Sequence, residues 1–168
     1  MSTLTSRPMS LVNVEFEELY ARHLCRHSQL GINVAHLAAL FCVWFGVYGA
    51  LFWLFRTEWL PVGMAAAYLA VLIPNVPVRV AVATGLFLAG LVAALLSLPL
   101  LPIWAYLAII PVAYKMQSWS HKLINVERDM AEFNRKYTKG GVLFVVLLFL
   151  EVPIVLNYLA FDRKNWTR

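Results

Sequence analysis

The chain has 168 residues, of which 61% are hydrophobic and 14% charged, with mean hydropathy +0.70 and a formal net charge of +5 at pH 7. That composition excludes an ordinary soluble domain and points to an integral, all-α membrane protein. The basic balance does not signal nucleic-acid binding, which requires a basic patch interleaved with aromatics that is absent here.

The first predicted element is an amphipathic helix over residues 12–28. Asn13 can cap it, and Glu15, Glu17 and Glu18 suit the positive end of its dipole. Phe16, Tyr20, His23 and His27 recur on one face, whereas Glu15, Glu18, Arg22 and Arg26 share the other. His23 and His27 have the i, i+4 spacing at which two imidazoles can hold one metal ion. The same pair could equally line a membrane interface as amphipathic side chains. Gly31 permits a bend that would turn Asn33 and His36 toward them, and polar residues that deep in a span usually face the bundle interior.

Five apolar segments follow, at 32–55, 60–78, 80–98, 101–114 and 141–161. Gln29 to Phe55 carries no charge, more than the roughly 20 residues that cross a bilayer. It follows a charged helix, as a signal anchor does rather than a cleavable signal peptide. The second segment ends in Pro74-Asn75-Val76-Pro77, and the 35 uncharged residues from Val80 to Tyr114 are split by Pro99 and Pro102. Cys25 on the cytoplasmic side and Cys42 inside a span are not expected to pair. With a cytoplasmic N-terminus, ten of the 14 Lys and Arg lie inside and four outside, in keeping with the positive-inside rule. Arg163, Lys164 and Arg168 fit that five-span scheme poorly. Four spans plus a re-entrant second or fifth segment would return the tail to the inside.

Between the fourth and fifth segments, Met116, Trp119, Leu123, Val126, Met130, Phe133 and Tyr137 form an apolar stripe, predicting a cytoplasmic amphipathic helix over 115–137. Gln117, His121, Asn125, Arg128 and Glu132 run along its opposite face. Either the stripe lies in lipid with the polar row in water, or the stripe packs on neighbouring helices and the polar row borders a pocket containing His121. Glu127, close to the stripe, wants a partner such as a histidine or a metal. Glu151 is a carboxylate within a span beside Pro153, so it must be neutral, paired or near water, with Arg79 or a histidine as its partner.

All four histidines thus fall at one side of the membrane. In order and type, Tyr20, His23 or His27, Asn33, His36, Gln117, His121 and Glu127 resemble the Mpo-like 2-hydroxy fatty acid dioxygenase family, small multi-pass membrane proteins. The resemblance implies Fe(II) held by His23, His27, His36 and His121, with Asn33 and Gln117 as catalytic or substrate-contacting groups and Tyr20 and Glu127 as further matches. It implies a fatty-acid or lipid substrate shortened by one carbon in the bacterial inner membrane or the endoplasmic reticulum. Histidine ligands with open positions suit such an ion. Two other classes fit the same residues. One is a non-enzymatic membrane protein that binds lipid or supports a larger complex or oligomer, docking through the 116–137 stripe. The other is a haem-binding cytochrome with two axial histidines.

Overall fold

A computed structural model of the protein describes residues 15–124 and 141–166, side chains at 141–148 excepted. All regular elements among the described residues are helical: α1 (Phe16–Arg26), α2 (Leu30–Phe55), α3 (Trp59–Leu72) extended by a 3-10 turn at Ile73–Asn75, α4 (Val78–Ser97), α5 (Ile103–Leu123) and α6 (Gly141–Phe161). Of these, α2 and α4 are long and apolar enough to cross a membrane, and Trp59–Asn75 and Phe149–Phe161 are shorter apolar helices.

The helix boundaries correct several expectations. Helix α1 begins after Glu15, so it is shorter than 12–28, and Asn13 lies outside the described residues. The chain bends at His27–Gln29, where α1 has ended and α2 has not begun, and not at Gly31, which is already helical. Pro77 occupies the N-cap of α4, where its missing N–H costs no bond within the helix, and the third apolar segment therefore begins at 78. No break separates 101–114 from 115–137: α5 runs straight through to Leu123, despite Pro111 within it. The remainder of the predicted 115–137 helix lies outside the described residues.

Helix α2 is central, packing most broadly on α5 and also touching α3, α4 and α6. Its register against α5 is antiparallel, with Gly49 at Tyr106, Gly46 at Ile110, His36 at Gln117 and Gly31 at Ile124. Two glycines set the closeness of this pair. A Cβ on Gly46 would sit 2.8 Å from the carbonyl oxygen of Tyr106, and one on Gly49 would overlap the Tyr106 ring. Small residues at a helix crossing let backbones approach in this way.

Helix α6 runs unbroken past Pro153, which has no N–H to offer the carbonyl of Phe149 one turn earlier. The Tyr68 hydroxyl of α3 donates to that carbonyl at 2.7 Å, satisfying it from outside the helix. At its far end α6 returns to α1. The Tyr158 hydroxyl donates to the carbonyl of Ser28 at 2.6 Å, and the Tyr20 hydroxyl donates to Asp162 Oδ2 at 2.5 Å. Arg163 and Lys164 therefore lie at the α1 end of the bundle, where a scheme of five alternating spans does not put them.

The Gly46 contact is with backbone and cannot be relieved by a side-chain rotation. Gly46→Ala is expected to lower stability by about 1–3 kcal/mol, the usual cost of overpacking. Gly63→Ala in α3, where an added methyl group meets nothing within 4 Å, should be neutral or gain up to about 1 kcal/mol. Equal unfolding midpoints for the two variants in detergent would refute this account of the α2–α5 contact.

Candidate metal centre

Three elements bring three imidazoles to a point. His27 follows the last turn of α1, His36 sits in the second turn of α2, and His121 ends α5. His121 Nε2 lies 3.3 Å from His27 Nε2 and 3.2 Å from His36 Nε2, and one nitrogen from each ring falls within 4.8 Å of the others. An ion bound to imidazole nitrogens at about 2.0–2.2 Å in tetrahedral or octahedral geometry separates neighbouring nitrogens by roughly 3.0–3.5 Å. The two shorter separations fall in that interval. His27 and His36 are buried and His121 is half-buried.

Proton counting supports an ion over a simple hydrogen-bonded cluster. His36 Nδ1 is 3.2 Å from Glu151 Oε1, an acceptor, so this nitrogen carries the proton and Nε2 presents a lone pair to His121. His121 Nε2 can donate to that lone pair or accept from His27, but it cannot do both. One of the two contacts thus lacks a proton unless a ring is charged or a cation lies between them. Burial disfavours charging a ring. It holds His27 well below the usual histidine range, with the neighbouring imidazoles and Arg26 acting in the same direction.

Around this group lies a set of orienting contacts. Glu151 Oε1 also accepts a 2.7 Å hydrogen bond from Gln117 Nε2, which sits 3.1 Å from the His36 ring nitrogen. Asn33 is fully buried, and its Nδ2 donates at 2.8 Å to the carbonyls of both His27 and Gln29. These carbonyls belong to the α1–α2 bend, so Asn33 supplies donors that the broken helix lacks and fixes His27 in place. With Nδ2 so committed, Asn33 Oδ1 must accept, and His23 Nε2, 2.7 Å away, must carry the proton. His23 therefore stands outside the group of three, as a buttress whose ring centroid is 4.6 Å from that of His27. Burial pushes its pKa down to about 4, against the opposing effect of the Asn33 bond. The charge of Arg26 acts on both His23 and His27, and burial lowers the pKa of Arg26 itself against the opposing charge of Glu151.

The structure sorts the residues anticipated from the sequence. His27, His36 and His121 converge, Gln117 and Asn33 orient them, and His23 supports Asn33. Tyr20 is engaged by Asp162, a contact that burial reinforces in holding its phenol protonated. Glu127 lies outside the described residues. Glu151 takes the carboxylate's place beside a histidine, and Arg79 instead lies over the Phe161 ring. Only the part of this face up to Leu123 lies within the described helix. Met116, Trp119 and Leu123 point outward at 37%, 63% and 84% exposure, while Gln117 and His121 border the centre. Sequence reasoning left the role of Glu151 undecided and did not single out Arg26. A mid-span carboxylate and an arginine beside a histidine were the available signals. Comparison of the chain with family profiles, with curated proteins and with solved structures found no match.

His23 and His27 titrate lower in the folded protein than the ordinary histidine value of 6.5. The unfolded chain therefore takes up protons first on acidification. Stability of the metal-free protein should be full above about pH 6.5 and decline as pH falls toward 4. Thermal unfolding in detergent across that interval tests this, and a flat profile would contradict it. His23→Gln should flatten part of the slope.

Proposed function

We propose that this protein is a non-haem Fe(II) oxygenase of the membrane that acts on 2-hydroxy fatty acids, consuming one O₂ per substrate and releasing the carboxyl carbon as CO₂ with one water, to leave an acid one carbon shorter. The observation that supports the reading most is the convergence of His27, His36 and His121 nitrogens from three elements, with Glu151 hydrogen-bonded behind His36. A carboxylate behind a histidine fixes its tautomer and raises its basicity, the usual support for a metal ligand. Three neutral nitrogens leave coordination positions open, which suits ferrous iron, and iron bound there would supply activation of O₂. The residues' own work is to hold and orient. Asn33 and His23 keep His27 aimed at the centre, and Gln117 and Glu151 keep His36 aimed there. The order of these residues in the chain, which resembles the Mpo-like family, supports the choice of substrate.

The membrane arrangement that best fits is four spans, α2 to α5, with α6 re-entrant and returning to the α1 end. Arg22, Arg26, Arg79, Lys122, Arg163 and Lys164 then share the end that holds the metal centre, while Arg56 lies at the other. The positive-inside rule supports a cytoplasmic location for the metal-centre end, in keeping with a cytoplasmic N-terminus. The haem alternative is less favoured. Two axial nitrogens on opposite faces of a haem stand about 4 Å apart, wider than the 3.2 Å and 3.3 Å seen at His121.

The detergent-purified protein, loaded anaerobically with Fe(II), should contain stoichiometric iron and consume O₂ with 2-hydroxy fatty acids. His121→Ala should lose both. Glu151→Gln, which keeps the shape of the side chain but weakens the support of His36, should bind iron roughly 10- to 100-fold more weakly. Absence of iron from the loaded wild type would sink the reading.

A further inference from the structure

Beyond the metal centre the molecule has an apolar groove of about 640 Å³ between α2, α3 and α6. Its size is that of a site for a small organic ligand. The floor is aromatic and held rigidly. Trp44 meets Tyr68 edge-on with centroids 4.9 Å apart, Tyr68 meets Phe149 at 4.7 Å, and Trp44 meets Tyr48 at 5.7 Å. The polar tip of Tyr68 is turned away onto the Phe149 carbonyl, which leaves its ring to the groove. The rims, Val47, Ala67 and Val71, are exposed, so the groove opens sideways between α2 and α3.

Its position matters as much as its lining. Leu40, at one end, lies one helical turn beyond His36 on the same face of α2, and Phe149 precedes Glu151 on α6. From Leu40 the lining follows α2 to Tyr48, about 12 Å along the helix axis at 1.5 Å per residue. A polar centre, with Arg26 one residue before His27, thus lies one helical turn from the apolar trough. That pairing matches an amphiphile with one hydrocarbon chain and a small anionic head.

We propose that this groove holds the hydrocarbon chain of a 2-hydroxy fatty acid, with its head at the histidine centre, and that Val47, Tyr48 and Met64 at the distal end limit chain length. The choice of head group rests on the oxygenase reading, whereas the groove's capacity for a single acyl chain does not. Each methylene buried contributes roughly 0.8 kcal/mol, so binding should strengthen with chain length until the distal end is reached. The lateral opening lets a substrate dissolved in the bilayer enter without crossing water.

The test uses the full chain in phosphatidylcholine nanodiscs and bromine-labelled 2-hydroxy fatty acids of short and long chain. The chain has 6 tryptophans, so the signal is the fluorescence quenching lost in Trp44→Phe. The long-chain acid should quench Trp44 and be displaced by its unlabelled form. Ala67→Phe fills the groove from its exposed rim, away from the histidine centre, so it should leave metal content intact and weaken long-chain binding more than short-chain binding. It should weaken long-chain binding roughly tenfold or more, the effect of displacing about two methylenes. Unchanged chain-length preference in Ala67→Phe would overturn the proposal, even in a protein that binds iron and consumes O₂. Equal quenching by brominated phosphatidylcholine, undiminished by the free acid, would also overturn it and identify the groove as a seat for bulk lipid. Chain-length-dependent binding in a protein that takes up no iron would uphold the groove while removing the oxygenase reading.

Discussion

A carboxylate set among apolar helices needs donors, because a polar group taken out of water without hydrogen-bond partners is costly. Glu151 receives them from His36 on α2 and Gln117 on α5, so one side chain of α6 ties three helices together. The rest of the centre follows from that tie. It decides which nitrogen of His36 bears the proton, hence which nitrogen faces His121, and hence where an ion would sit. Removing the carboxylate would leave the histidine free to turn, and the register of α2 on α5 would lose its polar landmark.

Backbone accounting explains the remaining architecture. Where a helix breaks or a proline lacks the N–H, carbonyls need donors from elsewhere, and the protein meets this need with side chains from distant parts of the chain. Asn33 serves the bend between α1 and α2, Tyr68 serves the carbonyl freed by Pro153, and Tyr158 serves the carbonyl of Ser28. Each of these bonds holds an element that contributes to the centre or to the groove. The break between α1 and α2, which costs backbone hydrogen bonds, also gives the bundle a corner. A continuous helix across 27–29 could not present His27 and His36 to one point.

Polar and apolar functions are segregated along the α2 axis. The first turns of α2 carry Asn33 and His36, the next carry Leu40 and Trp44, and the glycines at 46 and 49 come last. The glycines draw α5 close on one side, and the groove with α3 opens on another. A single helix thereby bears a polar contact set, a tight helix seam and an apolar trough. Its overall composition is so uniformly hydrophobic that these faces are distinguishable only by residue size and by a few polar atoms.

Much was legible from the sequence alone. Hydropathy and proline positions determined the helical class and most segment limits, because a run of apolar residues can satisfy its backbone in few other ways. The 3.6-residue period determined which face of α1 carries Phe16, Tyr20, His23 and His27, and that Gln117 and His121 share a face of α5. Residue chemistry alone marked the histidines, Asn33, Gln117 and the mid-span Glu151 as unusual. Tertiary structure decided the rest. It decided that α5 continues through residue 115, since no local signal ends a helix there. It also decided that His23 buttresses Asn33 while His27 joins the centre, and that α6 returns to α1. Periodicity fixes a side chain's direction about its own helix axis, but it carries no information on which other helix lies across from it. The meeting of His27, His36, His121 and Glu151 is set by contacts between residues 85 to 115 positions apart, and those distances exist only once the helices have packed.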